Sequence, residues 1–108
     1  MRNNVIVEKL MGYCEKLLGY CQGMTYQTFA ADSRTVEACV FNLSQMGELA
    51  NRVDETFANT HAQVPWRLLY GLRNRIVHDY EGVNLQLIWE IISDDIPSLL
   101  AALRQIRE

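Results

Sequence analysis

The sequence has little of what usually interrupts helices or binds metal ions. It contains two prolines and six glycines in 108 residues, so long stretches can remain helical. Its three cysteines are odd in number and form no CxxC or Cys/His cluster with zinc-ligand spacing. Cys14 and Cys21 would lie about 10 Å apart along one helix, too far for a disulfide bond. We therefore expect a reducing compartment, no metal site and no cofactor, with the cysteines as small buried apolar residues.

Charge of one sign and long apolar runs are also scarce. Ten Lys and Arg residues against thirteen Asp and Glu residues give a formal net charge of −3, whereas a non-specific polyanion binder is usually basic. Any contact with nucleic acid must therefore be local. The first ten residues lack the apolar stretch of a signal peptide, and no window reaches the length of a membrane span. We expect a cytoplasmic protein with no membrane partner.

What the sequence does contain is apolar residues recurring every three or four positions, the period of an amphipathic helix. A first helix is predicted from about Asn4 to Cys21, and a second begins at Asp32 or Ser33 as N-cap. Pro65 fits the first turn of a third helix, since its missing N–H costs nothing there. In the segment 82–84, Gly82 ends that helix and Asn84 caps a fourth, which Pro97 is expected to kink near Asp94 and Asp95.

Three apolar stripes define the buried faces of these helices, and the stretch TYQTFAA between the first two is predicted to form a short turn or half-helix. The first stripe consists of Ile6, Leu10, Tyr13, Leu17 and Tyr20; the second of Val36, Val40, Leu43, Met46, Ala50 and Val53; the last of Leu85, Ile88, Ile92, Leu99, Leu103 and Ile106. No segment alternates with the period of a strand. We predict an all-α antiparallel bundle of four main helices plus short helical segments, in one domain over residues 1–108.

The third helix carries the stretch GLRNRIVHDY at 71–80, which is rich in groups capable of catalysis. Asn74 and His78 are four residues apart and share a face, so the amide can fix the imidazole tautomer. Arg73 and His78 are five apart, roughly 140° around the helix, and flank one groove. A histidine can transfer the protons of RNA cleavage and a guanidinium can stabilise the phosphorane charge, with no metal ion needed.

One histidine is not a complete acid–base pair, and His61 is predicted to lie in the loop before Pro65. A two-fold dimer would bring His78 and Arg73 of both chains into one cleft. From the pattern alone, a lone histidine near a helix end is more often a cap or surface residue than a catalyst. Arg67, Arg73 and Arg75 would by default form a solvated or ion-paired face, and Tyr80 would pack with a wet hydroxyl.

The residues from Arg73 to Tyr80 resemble the R-x4-H-x-Y signature of the HEPN superfamily, and within it the HepT-like toxins of toxin–antitoxin pairs. VPWR at 64–67 with GLRN at 71–74 is similar to the family's "IPW…GLRN" segment. GELA at 47–50 resembles its "L…IGEA" segment on the preceding helix, and GVN at 82–84 with LIW at 87–89 resembles its "GVD…LVW" start of the final helix. The resemblance covers about residues 37–97.

The resemblance implies a dimeric helical ribonuclease that needs no metal ion, with Arg73 and His78 as catalytic pair and Asn74 in support. It further implies that Tyr80 is nucleotidylated by a partner minimal nucleotidyltransferase acting as antitoxin. An adenylylated Tyr80 would block RNA through bulk and negative charge. Phe41 departs from the resemblance, because relatives often carry arginine there; it would instead enlarge an apolar dimer interface.

Further candidates and alternatives remain open from sequence. Glu48 is expected either to orient Arg73 or to be a surface glutamate beside a glycine that allows close helix packing. Arg67 and Arg75 are candidate RNA contacts, while the two tryptophans are expected in the core or at the dimer interface. The alternative to a toxin is a non-catalytic companion that binds substrate for a nucleotidyltransferase or regulates it. The net negative charge of the chain favours this alternative. A purely structural helical dimer is the third reading.

Overall fold

The computed structural model describes residues 2–79 and 84–107, and of residues 77–79 only the backbone. The described elements are, in chain order, α1 (Asn3–Tyr20), α2 (Tyr26–Ala30), α3 (Ser33–Ala50), α4 (Glu55–Thr60), α5 (Trp66–Asp79), α6 (Leu85–Glu90), a π-helical turn (Ile91–Asp95) and α7 (Ile96–Ile106). This part of the chain contains no β-strand. The all-α prediction is therefore confirmed.

Three helices begin at the residues expected from local signals, two at side-chain caps and one at a proline. Asp32 caps α3 by accepting the Thr35 N–H at 3.1 Å, and Asn84 caps α6 by accepting the Leu87 N–H at 3.0 Å. Pro65 stands immediately before α5, and its carbonyl accepts the Leu69 N–H. These starts agree with the predicted ones because caps are local signals. The stop predicted at Gly82 lies outside the described residues.

The long helices pack antiparallel, as side-chain contacts between their ends show. At the start of α1, Asn3 exchanges two hydrogen bonds with Asp54, just beyond α3. Between α1 and α7, the later arginine pairs with the earlier glutamate: Arg107 contacts Glu8, and Arg104 contacts Glu15. Helix α1 therefore runs antiparallel to both α3 and α7, and α5 packs on the other side of α3.

Most predicted core positions are buried, with differences at the stripe edges. Ile6, Leu10 and Leu17 are fully buried, but Tyr20 is 41% exposed. The buried face of α1 instead includes Val7, Met11 and Cys14, so the true apolar face is rotated away from Tyr20. Val36, Val40 and Leu85 are only half-buried. In the short helix α2, Phe29 is buried against Trp89, with ring centroids 5.1 Å apart.

Two elements differ from the predicted ones. Helix α4 was not expected. His61 is its C-cap and lies in the turn before Pro65, as predicted. The expected kink in the last helix takes the form of the π-helical turn, in which the Ile96 N–H donates to the Ile91 carbonyl, five residues back. Pro97 follows in the first turn of α7. Because its ring would clash with the carbonyl four residues earlier, the helix changes geometry before it.

The three cysteines are buried free thiols, as predicted. Burial raises the pKa of Cys14 to about 12 and also raises the pKa values of Cys21 and Cys39. The Sγ atoms of Cys21 and Cys39 lie 3.7 Å apart, where the end of α1 meets α3. These thiols therefore act in the fold as small apolar packing groups.

Candidate active site

Helix α5 buries one face in the core, and this leaves its opposite, polar face toward solvent. Leu69, Leu72 and Ile76 are at most 3% exposed, and each buried aliphatic side chain stabilises the fold by roughly 1.5–3 kcal/mol. At the start of the helix, the buried Trp66 donates its indole N–H to the His61 carbonyl at 3.0 Å. This hydrogen bond gives the indole a polar partner inside the core. Both tryptophans therefore pack within the chain.

Gly47 allows α3 and α5 to approach closely beside the polar face. A Cβ atom at this position would lie 3.1 Å from the Arg73 backbone N, 3.3 Å from the Leu69 carbonyl oxygen and 3.4 Å from the Arg73 Cβ. Two of these three neighbours are backbone atoms, which cannot move without moving α5. A larger residue at this helix crossing would therefore require α3 and α5 to shift apart by a few tenths of an ångström.

The close crossing brings Glu48 of α3 to Arg73 of α5. Arg73 Nε lies 2.9 Å from Glu48 Oε1, and the side chains are 60% and 48% exposed. Such an exposed pair contributes only about 0–1 kcal/mol to stability. Its contact through Nε leaves the terminal N–H groups of the guanidinium for a second anion. Both open interpretations of this segment are thus compatible: Gly47 sets the packing, and Glu48 holds Arg73. The role of Glu48 in catalysis stays a prediction.

Helical register places the other candidate positions of α5 beside Arg73. Arg67, Gly71, Asn74 and position 78 follow one line along the helix, at spacings of four, three and four residues. Arg73 lies about 100° to one side of Asn74 and Arg75 about 100° to the other. Arg67, Arg73, Asn74 and Arg75 are all exposed. The side chain of His78 and the whole of Tyr80 lie outside the described residues.

Phe41 is the most exposed large apolar side chain of the described residues, at 61%. It precedes Glu48 by seven residues on α3, so the two share one face about 10 Å apart along the helix. An exposed aromatic ring is thus placed on the helix face that carries Glu48. Trp89, the other apolar position expected at an interface, is half-buried against Phe29.

Sequence reasoning did not identify a groove that continues the polar face toward the start of α5. It is lined by residues of α4, of the first part of α5 and of the loops on either side of α4, and its polar rim includes Asn51, the C-cap of α3, with Asn59, Arg67 and Tyr70. Tyr70 could have been noticed from its spacing of three residues from Arg67. Asn51 and Asn59 could not, because only the packing of three helices brings them to Arg67.

Comparison with known proteins places the chain among ribonucleases. The model of a family described as "Ribonuclease HepT-like" matches residues 10–106. A "Putative RNase" of Caldanaerobacter subterraneus subsp. tengcongensis is 32% identical over 100 residues, which cover 93% of this chain and 89% of the relative. No solved structure matches the chain significantly.

Two archaeal relatives extend this similarity. A "Putative RNase" of Methanocaldococcus jannaschii is 32% identical over 83 residues, covering 77% of this chain and 69% of the relative. A "Probable ribonuclease HepT" of Thermococcus cleftensis is 29% identical over 83 residues, covering 77% and 76%. The helices themselves are a separate observation: within the described residues, none is both long and apolar enough to cross a membrane.

Proposed function

The chain belongs to the HepT-like ribonuclease family, and from this premise we propose that it is a cytoplasmic endoribonuclease toxin that cleaves RNA without a metal ion. The observation that carries the proposal is the Glu48–Arg73 ion pair on the helix with the R-x4-H motif. An arginine contacted at Nε is biased toward one orientation of its terminal N–H groups, and a preorganised donor stabilises developing charge best. The pair contributes only about 0–1 kcal/mol, so it favours this orientation without locking it.

In the proposed reaction, the 2′-oxygen attacks the adjacent phosphorus while one histidine removes its proton. The P–O2′ bond forms, the P–O5′ bond breaks, and a second imidazolium protonates the leaving 5′-oxygen. Arg73 stabilises the extra negative charge on the phosphorane, and Asn74 orients the His78 ring. The products are a 2′,3′-cyclic phosphate and a free 5′-hydroxyl.

This scheme needs two histidines, and a homodimer supplies the second as His78 of a second copy. The 61% exposed ring of Phe41 supports the dimer, since it lies on the face of α3 that carries Glu48. A dimer that covers Phe41 would bring the two polar faces together. Sedimentation at micromolar concentration should then give about twice the 12.5 kDa chain mass. A strict monomer would contradict the shared cleft.

Cleavage assays with purified protein test the reaction directly. In EDTA, the wild-type protein should cut single-stranded RNA and leave 2′,3′-cyclic phosphate ends, which mass spectrometry identifies. A single 2′-deoxy nucleotide at the cleaved position should abolish cutting there, because the nucleophile is missing. A deoxy nucleotide one position away serves as the control. Loss of activity in EDTA that an added divalent metal ion restores would contradict the metal-free mechanism, whereas absence of cleavage with RNA still bound would favour the non-catalytic companion.

We further propose that Tyr80 is the site through which a nucleotidyltransferase antitoxin inactivates the protein. Tyr80→Phe removes only the hydroxyl oxygen, so it should leave RNA cleavage within about twofold of wild type. After co-expression with a cognate nucleotidyltransferase, the wild-type protein should gain the mass of AMP, and the Tyr80→Phe variant should not.

A growth assay completes the test. Cells that express Tyr80→Phe beside an active partner should arrest, whereas cells with the wild-type protein should grow. Tyr26→Phe is a matched control, because Tyr26 is a half-buried tyrosine of α2; it should remain modified and neutralised. Equal protection of wild type and Tyr80→Phe without added mass would show that neutralisation occurs by binding alone.

A further inference from the structure

A second polar region adjoins the candidate active site, in the groove between the end of α3, α4 and the first half of α5. The groove encloses about 720 Å³, a size typical of small-ligand sites. Its floor is apolar, with Val53, Ala58 and Val64, and its rim carries Asn51, Asn59, Arg67 and Tyr70. A site with an apolar floor and a few polar groups at its edge suits an aromatic ligand that also carries charge.

The groove lies next to the candidate active site along the two long helices that carry that site. On α5, Arg67 lies on the line of Asn74 and position 78, about 16 Å from the latter along the axis. On α3, Asn51 follows Glu48 by one turn, and its amide N–H₂ donates to the Gly47 carbonyl at 2.9 Å. This bond holds the Asn51 side chain at the helix crossing that also places Arg73.

The rim has the groups that bind a nucleotide. Arg67 is exposed and forms no ion pair with any described residue, so its guanidinium is available to a phosphate. Tyr70 is half-buried and lines the groove, and an aromatic ring is a group on which a base can stack. The oxygen of the Asn51 amide can accept from a base edge. Glu55 also lines the groove; it repels a phosphate nearby but accepts from an amino group of a base.

We propose that this groove is a subsite for an RNA nucleotide distant from the cleaved phosphate, with its base on Tyr70 and its phosphate at Arg67. The inference rests on the proposed ribonuclease function and adds to it a source of substrate preference. Because the polar groups that face the base are amides and a carboxylate, the subsite discriminates bases through their edges, whereas Arg73 contacts a phosphate common to all sequences.

The test is a set of RNA substrates lengthened by one nucleotide at a time on either side of the cleaved position. On substrates long enough to reach the groove, Arg67→Ala and Tyr70→Leu should each lower kcat/KM roughly tenfold, mainly through KM. On the shortest cleavable substrates, both variants should match wild type. Tyr70→Phe should retain the wild-type length dependence, since it keeps the ring that stacks.

Arg104→Ala is the matched control for lost positive charge. Arg104 lies on α7, where its guanidinium reaches Glu15 at 3.5 Å and is more than half exposed, so this variant should match wild type on all substrates. Thermal unfolding checks that every variant is folded. If Arg67→Ala and Tyr70→Leu weaken cleavage equally at all lengths, or at none, the subsite is refuted.

Binding measurements separate this inference from the proposed function. Fluorescence anisotropy with labelled RNAs of the same lengths, each with a 2′-deoxy nucleotide at the cleaved position, needs no catalysis. If the wild-type protein never cleaves RNA, length-dependent affinity that is lost in Arg67→Ala still supports the groove. Equal affinity of the wild-type protein and Arg67→Ala for every RNA refutes it, whatever the cleavage assay shows.

Discussion

Replacement of His78 by alanine is expected to lower the rate of RNA cleavage by about 10²- to 10⁴-fold, the contribution of a positioned acid or base. In a dimer the change removes both histidines of a cleft at once, which favours the upper part of that range. If His78 lines the proposed cleft, the folded state should change little, because truncation there removes few packing contacts. Cleavage kinetics and thermal unfolding measure the two quantities, and cells that express the variant without a partner should grow.

His61→Ala is the matched control, because His61 is the other histidine of the chain. Its ring packs on Phe57 with centroids 4.5 Å apart, at the end of α4, and we assign it no part in catalysis. Its removal should leave the cleavage rate within about twofold of wild type. If His78→Ala still cleaves RNA, or still arrests cells, the catalytic assignment of His78 is wrong.

Substitutions of Arg73 and Glu48 should lower the cleavage rate by different amounts. Arg73→Ala is expected to cost about 10²- to 10³-fold in kcat, as does loss of one transition-state donor. Glu48→Gln should cost less, because the neutral amide can still contact Nε but no longer holds it by charge. If Glu48→Gln loses as much activity as Arg73→Ala, Glu48 has a direct chemical role that its contact with Arg73 does not explain.

Gly47→Ala is expected to destabilise the protein and impair catalysis together. The added Cβ would lie 3.1 Å from the Arg73 N and 3.3 Å from the Leu69 carbonyl oxygen, so α3 and α5 must separate. Overpacking of this kind costs about 1–3 kcal/mol, which lowers the Tm of a domain this size by roughly 5–15 °C. The separation would also lengthen the 2.9 Å contact between Glu48 and Arg73. Calorimetry and kcat measure the two effects.

Gly12→Ala is the same substitution as Gly47→Ala but is expected to raise stability instead of lowering it. Gly12 is also inside a long helix, but a Cβ there would have no neighbour within 4 Å. Alanine should therefore stabilise the protein by about 0.5–1 kcal/mol through lower chain entropy and better helix propensity. The opposite signs of the two variants would isolate the helix crossing as the cause. Similar Tm values for Gly47→Ala and wild type would show that the crossing tolerates a methyl group.

Local signals made most of the fold predictable from the sequence. The N-caps at Asp32 and Asn84 and the position of Pro65 concern interactions within one helical turn, and all three agree with the structure. Helix α4 has six residues, too few to show a clear apolar period. The π-helical turn depends on how Pro97 is accommodated in three dimensions. Sequence indicated that the helix would be disturbed but not by which geometry.

The candidate site was predictable where its residues share one helix. Arg67, Arg73 and Asn74 could be placed from the spacing along α5, whereas the contact of Glu48 with Arg73 required the distance between two helices. That distance is set by Gly47, so the neighbouring glycine was the useful sequence signal. The residues across the groove from Arg67 are Asn51, the C-cap of α3, and Asn59 of α4, and no spacing within one segment relates them to it.

The buried thiols also provide a means of following local unfolding. Only the thiolate reacts with alkylating reagents, so the burial that raises the pKa of Cys14, Cys21 and Cys39 makes the folded protein slow to label. Labelling then reports how often α1 and α3 open, a motion that side-chain exposure cannot measure. Residues 40–108 contain no cysteine, and the label leaves the helix with the candidate site unmodified. The free energy of opening can therefore be measured while RNA is bound.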